Sequence, residues 1–300
     1  ESDRMLSLAF SEKSLSVQRK VVCEEFREHY INKPYGDVWK QMRELAYTVH
    51  PYKWMTIGKE LSHVENALID DVKHFFFKHY RPINAILVVA GKVKTADIKQ
   101  LAQKWFGPIP MGDKYIRCLP QEPVQDQARR LTIEAAVPLD AFVKTWHMDA
   151  RLNKGYYTAD LITEILGGGA SSRLYQSLVK EQKLFSNLDC YHFGSLDAGL
   201  LTIEGKLVKG VDINKAEQAI SEQIALIQEQ PVSIAELTKV KNKTESVIAF
   251  EDMSIMSRAS SLAMYELMGD ASLMNTELEK YQEINPQDIV DYSKQIFRES

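Results

Sequence analysis

LIDDVKHFFFKHYRPINAILVVAGKV, running from Leu68 to Val93, changes its period partway along. From about Leu68 to Tyr80, aliphatic and aromatic residues recur at the three- and four-residue spacing of a helix packed on one side, behind an acidic start. Pro82 punctuates, and Asn84 to Val93 is then apolar, β-rich and strand-length. A helix is thus expected to lead directly into a strand.

The same alternation extends in both directions. Upstream, a helix is expected from about Ser11 to Tyr30, NKPYG breaks it, and a second helix follows from about Gly36 to Thr48 ahead of the loop HPYKWMTIG. Downstream, a helix from Thr95 to Phe106 and the GPIP punctuation close a first unit, residues 1–111. The polar, Pro-containing stretch Gly112 to Arg129 reads as a linker, and residues 130–300 as a second unit. There, strands are expected at Arg130 to Val137, Ala141 to Met148, Asn187 to Phe193 and Leu200 to Leu207, with helices at Tyr156 to Leu166 and Ser171 to Lys180. Helices at Ile213 to Gln228, Ser233 to Met268 and Pro286 to Phe297 finish the pattern. LIDDVKHFFFKHYRP and NPQDIVDYSKQIFRES share an acidic start and helical apolar spacing, which suggests an internal repeat.

Composition narrows the function classes. With 45% hydrophobic and 26% charged residues over 300 positions, the chain is globular, and a net charge of -4 with interspersed signs gives no footprint for nucleic acid. Apolar runs such as Ala85 to Ala90 fall far short of the ~20 residues that span a bilayer. Cys23, Cys118 and Cys190 form no Cys-x-x-Cys pair, which favours a reducing, cytoplasmic compartment. The opening ESDRMLSLAF reads as a helix already under way, so the N-terminus is expected to be cut, and a periplasmic location stays open.

Chemistry is sparse. In QRKVVCEEF, Gln18 to Phe26, the residues Gln18, Val22, Glu25 and His29 fall on one helical face, which makes Glu25 the expected inward acid. A carboxylate on an apolar face must be paired, protonated or metal-bound, because an isolated buried charge is expensive. The glycines of TEILGGGASSRLYQSL follow a helix and lack the Lys of a phosphate loop, so they are expected to end one helix while a Ser caps the next. No Gly-x-Ser-x-Gly elbow is present.

VVCEEF, HPY at His50, HYRPINAILVVAGKV, GGGASSRLYQSLVKE and LDAGLLTIEGKL, in that order, resemble the insulinase/pitrilysin family of zinc metallopeptidases over nearly the whole chain. The resemblance implies an α+β fold of two homologous sheet-plus-helix halves closing like a clamshell on peptides. The first half would be incomplete, and the second would lack its last strand. It also implies that Glu25 is the third zinc ligand and that Gln18 stands where a supporting Glu is usual. None of the seven histidines, His29, His50, His63, His74, His79, His147 and His192, lies in the family's His-x-x-Glu-His. The motif is therefore expected upstream, and this chain alone is expected to be inactive. Leu178 and Phe185 fall where the family often has a substrate-holding Arg and Tyr, which implies a homologous partner subunit that supplies that pair. The alternative is a zinc-free scaffold or substrate-holding subunit. Arg173 is expected to pair with the opposing half, His50 to pack a loop, and Tyr35, Trp39 and Phe75 to Phe77 to lie in the core.

Overall fold

The structure, a computed structural model, describes residues 1–298. The helices in chain order are α1 (Ser2–Leu6), α2 (Glu12–Phe26), α3 (Val38–Ala46), α4 (Leu61–Glu65), α5 (Ile69–His79), α6 (Thr95–Trp105), α7 (Lys154–Gly167), α8 (Ile213–Glu229), α9 (Ile234–Glu251), α10 (Ile255–Leu267), α11 (Glu277–Gln282) and α12 (Pro286–Ile296). The strands are β1 (Ala141–Met148), β2 (Phe185–Phe193) and β3 (Gly199–Leu207). The chain is α+β and separates into two compact units. The first is Glu1–Pro123 with Met253–Ala271; the second is Val124–Asp252 together with the chain from Ser272 onward. Met253–Ala271, read from the sequence as the end of one long helix in the second unit, groups instead with the first.

The second unit is built on one antiparallel sheet in the order β1-β3-β2. Central β3 is buried along most of its length, and Leu201, Ile203 and Leu207 point into a core with Phe142, Trp146, Leu188 and Cys190. Helices α7, α8 and α12 close over that face through Leu161, Ile162, Ile165, Ile220, Ile227 and Ile289. Gly167 lets α7 approach β2, because a Cβ there would lie 2.2 Å from the Cys190 backbone nitrogen.

The first unit is helical among the described residues. Helix α2 starts on Ser11, whose hydroxyl accepts from the Ser14 N–H, and packs on α4. Its Arg19 guanidinium donates to the Ala67 carbonyl at 2.6 Å, while Cys23 and Phe26 are buried. Asn84 to Val93 forms no strand here: Ile86, Leu87 and Val89 are 39%, 52% and 44% exposed. Arg130 to Val137 is likewise unpaired, with Leu131 and Ile133 half-exposed. Both runs have strand sequences, but a strand needs a neighbouring ladder, and among the described residues neither run pairs with one.

Three further expectations change. Ser233 to Met268 is two helices, because Ser254 caps a new one by accepting from the Ser257 N–H. Of the Phe75 to Phe77 run, Phe76 is buried while Phe75 and Phe77 are about half exposed. The Ser172 hydroxyl is buried without a hydrogen-bond partner, so it does not cap the helical turn that follows Gly169. The two similar helices do share a device: in α5 Asp71 accepts from the Leu68 N–H, and in α12 Asp288 accepts from the Asn285 N–H.

Candidate functional site

The residues singled out for chemistry lie in both units and are described unit by unit. On α2, Glu25 and Gln18 are exposed, and so is His29 in the turn that follows. The buried stripe is Cys23 and Phe26, with Leu15 and Arg19 half-buried, so Glu25 is not an inward acid. Contacts outside the helix set this: Arg27, which donates to Glu24 at 2.6 Å, also donates to Glu65 of α4 at 2.7 Å. These contacts, with Arg19 on Ala67, orient the helix so that the face carrying Gln18, Glu25 and His29 turns outward. A five-residue π-helical turn, Arg27–Ile31, follows immediately.

These residues do not make a zinc site by themselves. Glu25 and His29 offer one oxygen and one nitrogen ligand, and the described residues hold no group of three His, Cys, Asp or Glu able to share an ion.

His50 is buried; its Nδ1 accepts from the Tyr52 N–H at 3.1 Å, and its ring stands edge-on to Tyr52, which gives it the loop-packing role expected. Just before it, the backbone N–H groups of Thr48, Val49 and His50 converge on the Glu122 carboxylate, and the Thr48 hydroxyl joins them. Burial alone would raise Glu122, but the Thr48 hydroxyl and the three N–H donors hold it down to about 2.

In the second unit, Leu178 and Phe185 are 0% and 1% exposed and belong to its core. A side chain at either position points at other apolar groups and not at a ligand. One residue later, Ser186 is exposed on β2 where its register shifts between Phe185 and Asn187, and Val179, seven residues before it, is half-buried at the core's margin. Neither Val179 nor Ser186 is Arg or Tyr. Arg173, expected to reach the opposing half, makes a two-point bridge to Glu236 of its own unit at 3.0 and 2.7 Å.

Sequence reading also missed a buried polar network. Asp160 of α7 accepts from His192 Nε2 of β2 at 3.0 Å and from the Tyr281 hydroxyl of α11 at 2.8 Å. The Gly194 N–H donates to His192 Nδ1, which leaves Nε2 as the ring nitrogen that faces Asp160. Burial pushes Asp160 up, but the His192 and Tyr281 hydrogen bonds outweigh it and leave it below the ordinary carboxylate value. Beside it, the Arg151 guanidinium pairs with Glu277 and lies 4.5 Å from the Tyr156 ring centre. Every member is satisfied, so the network fastens three elements together and offers no open ligand position.

An α+β chain with a helical first unit, a three-stranded second unit and no assembled reaction centre among its described residues is what these observations define. The chain belongs to the M16 peptidase family: the model described as the peptidase M16 inactive domain matches residues 67–244. It is similar to the zinc protease PqqE of Helicobacter pylori, at 26% identity over 308 residues covering 100% of this chain and 68% of that protein. A solved protease from Helicobacter pylori superposes with a TM-score of 0.87 at 24% identity, covering 96% of this chain and 70% of that one. Over 113 residues, 37% of this chain and 24% of the relative, it is 25% identical to the mitochondrial-processing peptidase subunit beta of Saccharomyces cerevisiae.

Proposed function

We propose that this chain is a non-catalytic portion of a zinc-dependent peptidase that hydrolyses peptides or unfolded polypeptides in a clamshell chamber built from two homologous halves. The observation that carries the reading is the match to an inactive M16 domain in a chain whose seven histidines include no His-x-x-Glu-His. Among its described residues the chain brings together no group of three possible metal ligands, and its sequence holds no His-x-x-Glu-His to supply a base, which supports inactivity of the chain alone. Residues 1–111 would belong to the zinc-bearing half, with 112–129 as connector and 130–300 as the second half. Glu25, exposed on α2, would be the carboxylate ligand of a zinc whose other ligands these 300 residues do not contain, and Gln18 would support it by hydrogen bonding. The lack of Arg and Tyr at 178/185, and equally at 179/186, supports a homologous partner subunit that grips the substrate backbone. A cytoplasmic location is part of the proposal.

The second reading, a zinc-free scaffold or substrate-holding subunit, is favoured by one observation: Glu25 has no second and third ligand near it among the described residues. Zinc content of the native gene product separates the two. One zinc per chain, lost in Glu25→Gln while the fold is kept, is expected. A zinc-free product of 34.3 kDa would overturn the first reading.

A further inference from the structure

The strongest unassigned feature is the cradle at Thr48–His50. Three consecutive backbone N–H groups turned to one side form an anion-binding concavity that needs no positive side chain. Here the anion is internal. Glu122 Oε1 accepts from the Thr48 N–H and hydroxyl, both at 2.6 Å, and Oε2 from the Val49 and His50 N–H groups at 3.0 and 2.9 Å. The floor is rigid, since Tyr47 and His50 are buried and the His50 ring packs against Tyr47 and Tyr52.

Glu122 sits 72 residues from His50 in sequence, at the far side of a largely exposed stretch that is also held earlier. There Asn84 Oδ1 accepts from the Tyr115 N–H at 2.7 Å, its Nδ2 donates to the Asp113 carbonyl at 3.3 Å, and the Tyr115 ring packs edge-on to His79. Beyond it Ile116 is 80% exposed, and just after Glu122, Val124 is 86% exposed.

We propose that the Thr48–His50 loop is a carboxylate receptor whose resident ligand is Glu122, and that this tethered carboxylate clasps the connecting stretch to the first unit. Chain connectivity keeps Glu122 at a high effective concentration, so a free carboxylate does not compete with it in the intact chain. With Glu122 removed, the receptor is open to a small carboxylate, and the chain from Ile116 onward loses the hold that Glu122 gives it.

The test uses the full chain and Glu122→Ala, with sodium acetate as probe against sodium chloride at equal ionic strength. Two readouts are taken: hydrogen exchange of the Thr48–His50 amides, and the rate of tryptic cleavage after Arg117. Cleavage about tenfold faster or more is expected in the variant, the equivalent of roughly 1.4 kcal/mol or more. The three loop amides should exchange faster, and acetate should restore their protection without restoring resistance at Arg117, because an untethered anion fills the cradle but holds no chain. Cleavage at the wild-type rate would overturn the clasp. Loop protection identical in acetate and chloride would overturn the receptor. If Glu122→Ala does not fold, Glu122→Gln gives the same comparison: with one acceptor oxygen and no charge it should lie between the two, and wild-type behaviour refutes the proposal.

Discussion

Placing arginine at position 178 should destroy the second unit, whereas placing it at 179 should leave that unit standing. Leu178 has no exposed surface and lies among Leu174, Leu184 and Phe185. Emptying such a site costs about 2–5 kcal/mol for a leucine, and an unpaired guanidinium in the same place adds several kcal/mol of desolvation. The sum is comparable to the ~5–15 kcal/mol by which domains are stable. Val179 sits at the margin of the core, where an arginine stem can lie along apolar surface with its head in water, at a cost of about 1 kcal/mol. Ser186→Tyr on exposed β2 gives up one hydrogen bond from its hydroxyl to the Lys206 carbonyl at 3.0 Å and gains strand propensity, for a change within about 1 kcal/mol. Urea denaturation followed by near- and far-ultraviolet circular dichroism measures both. Leu178→Arg is expected to lack near-ultraviolet signal without denaturant; Val179→Arg/Ser186→Tyr is expected to unfold cooperatively at a slightly lower midpoint. A Leu178→Arg protein as stable as the wild type would refute the register argued for this turn and strand.

Other outcomes follow from single contacts. Lys183 is held at φ 54°, in the left-handed region that side chains resist, so Lys183→Gly should raise the urea midpoint by the equivalent of about 0.5–1 kcal/mol. Asp160 titrates below its ordinary value of 3.8 when folded, so its contribution is complete above that value and fades as pH falls below it. Asp160→Asn should therefore be less stable at neutral pH yet lose less than the wild type on acidification, as thermal melts between pH 7 and 3 would measure. Glu25→Gln should leave stability within about 0.5 kcal/mol, because the side chain is exposed and nothing in the fold depends on its charge.

Where the apolar period was unambiguous, sequence and structure agree closely. Strand β1 occupies the expected Ala141 to Met148, and α6 differs from the expected span only at its last residue. Misreadings arose where local pattern left a choice that a distant contact makes. Helix α2 carries apolar residues on two stripes, and the choice between them is settled by Arg19 reaching Ala67 and Arg27 reaching Glu65. That choice moved Glu25 from inside to outside. The Asn84 to Val93 run has every local mark of a strand, but pairing is a property of two segments. The Asp160 network joins residues 32 and 121 positions apart, a separation at which no periodicity connects them.

The contact between Gly167 and β2 has a chemical consequence. With α7 pressed directly onto the strand, the Cys190 thiol is sealed inside the second unit, and burial pushes its ionisation far above the usual thiol range. Cys23 is sealed in the first unit, while Cys118 stands in the open. A thiol reagent should thus find one site at once and the other two only when their units open. The native chain carries one chemical clock per unit, set against an internal zero.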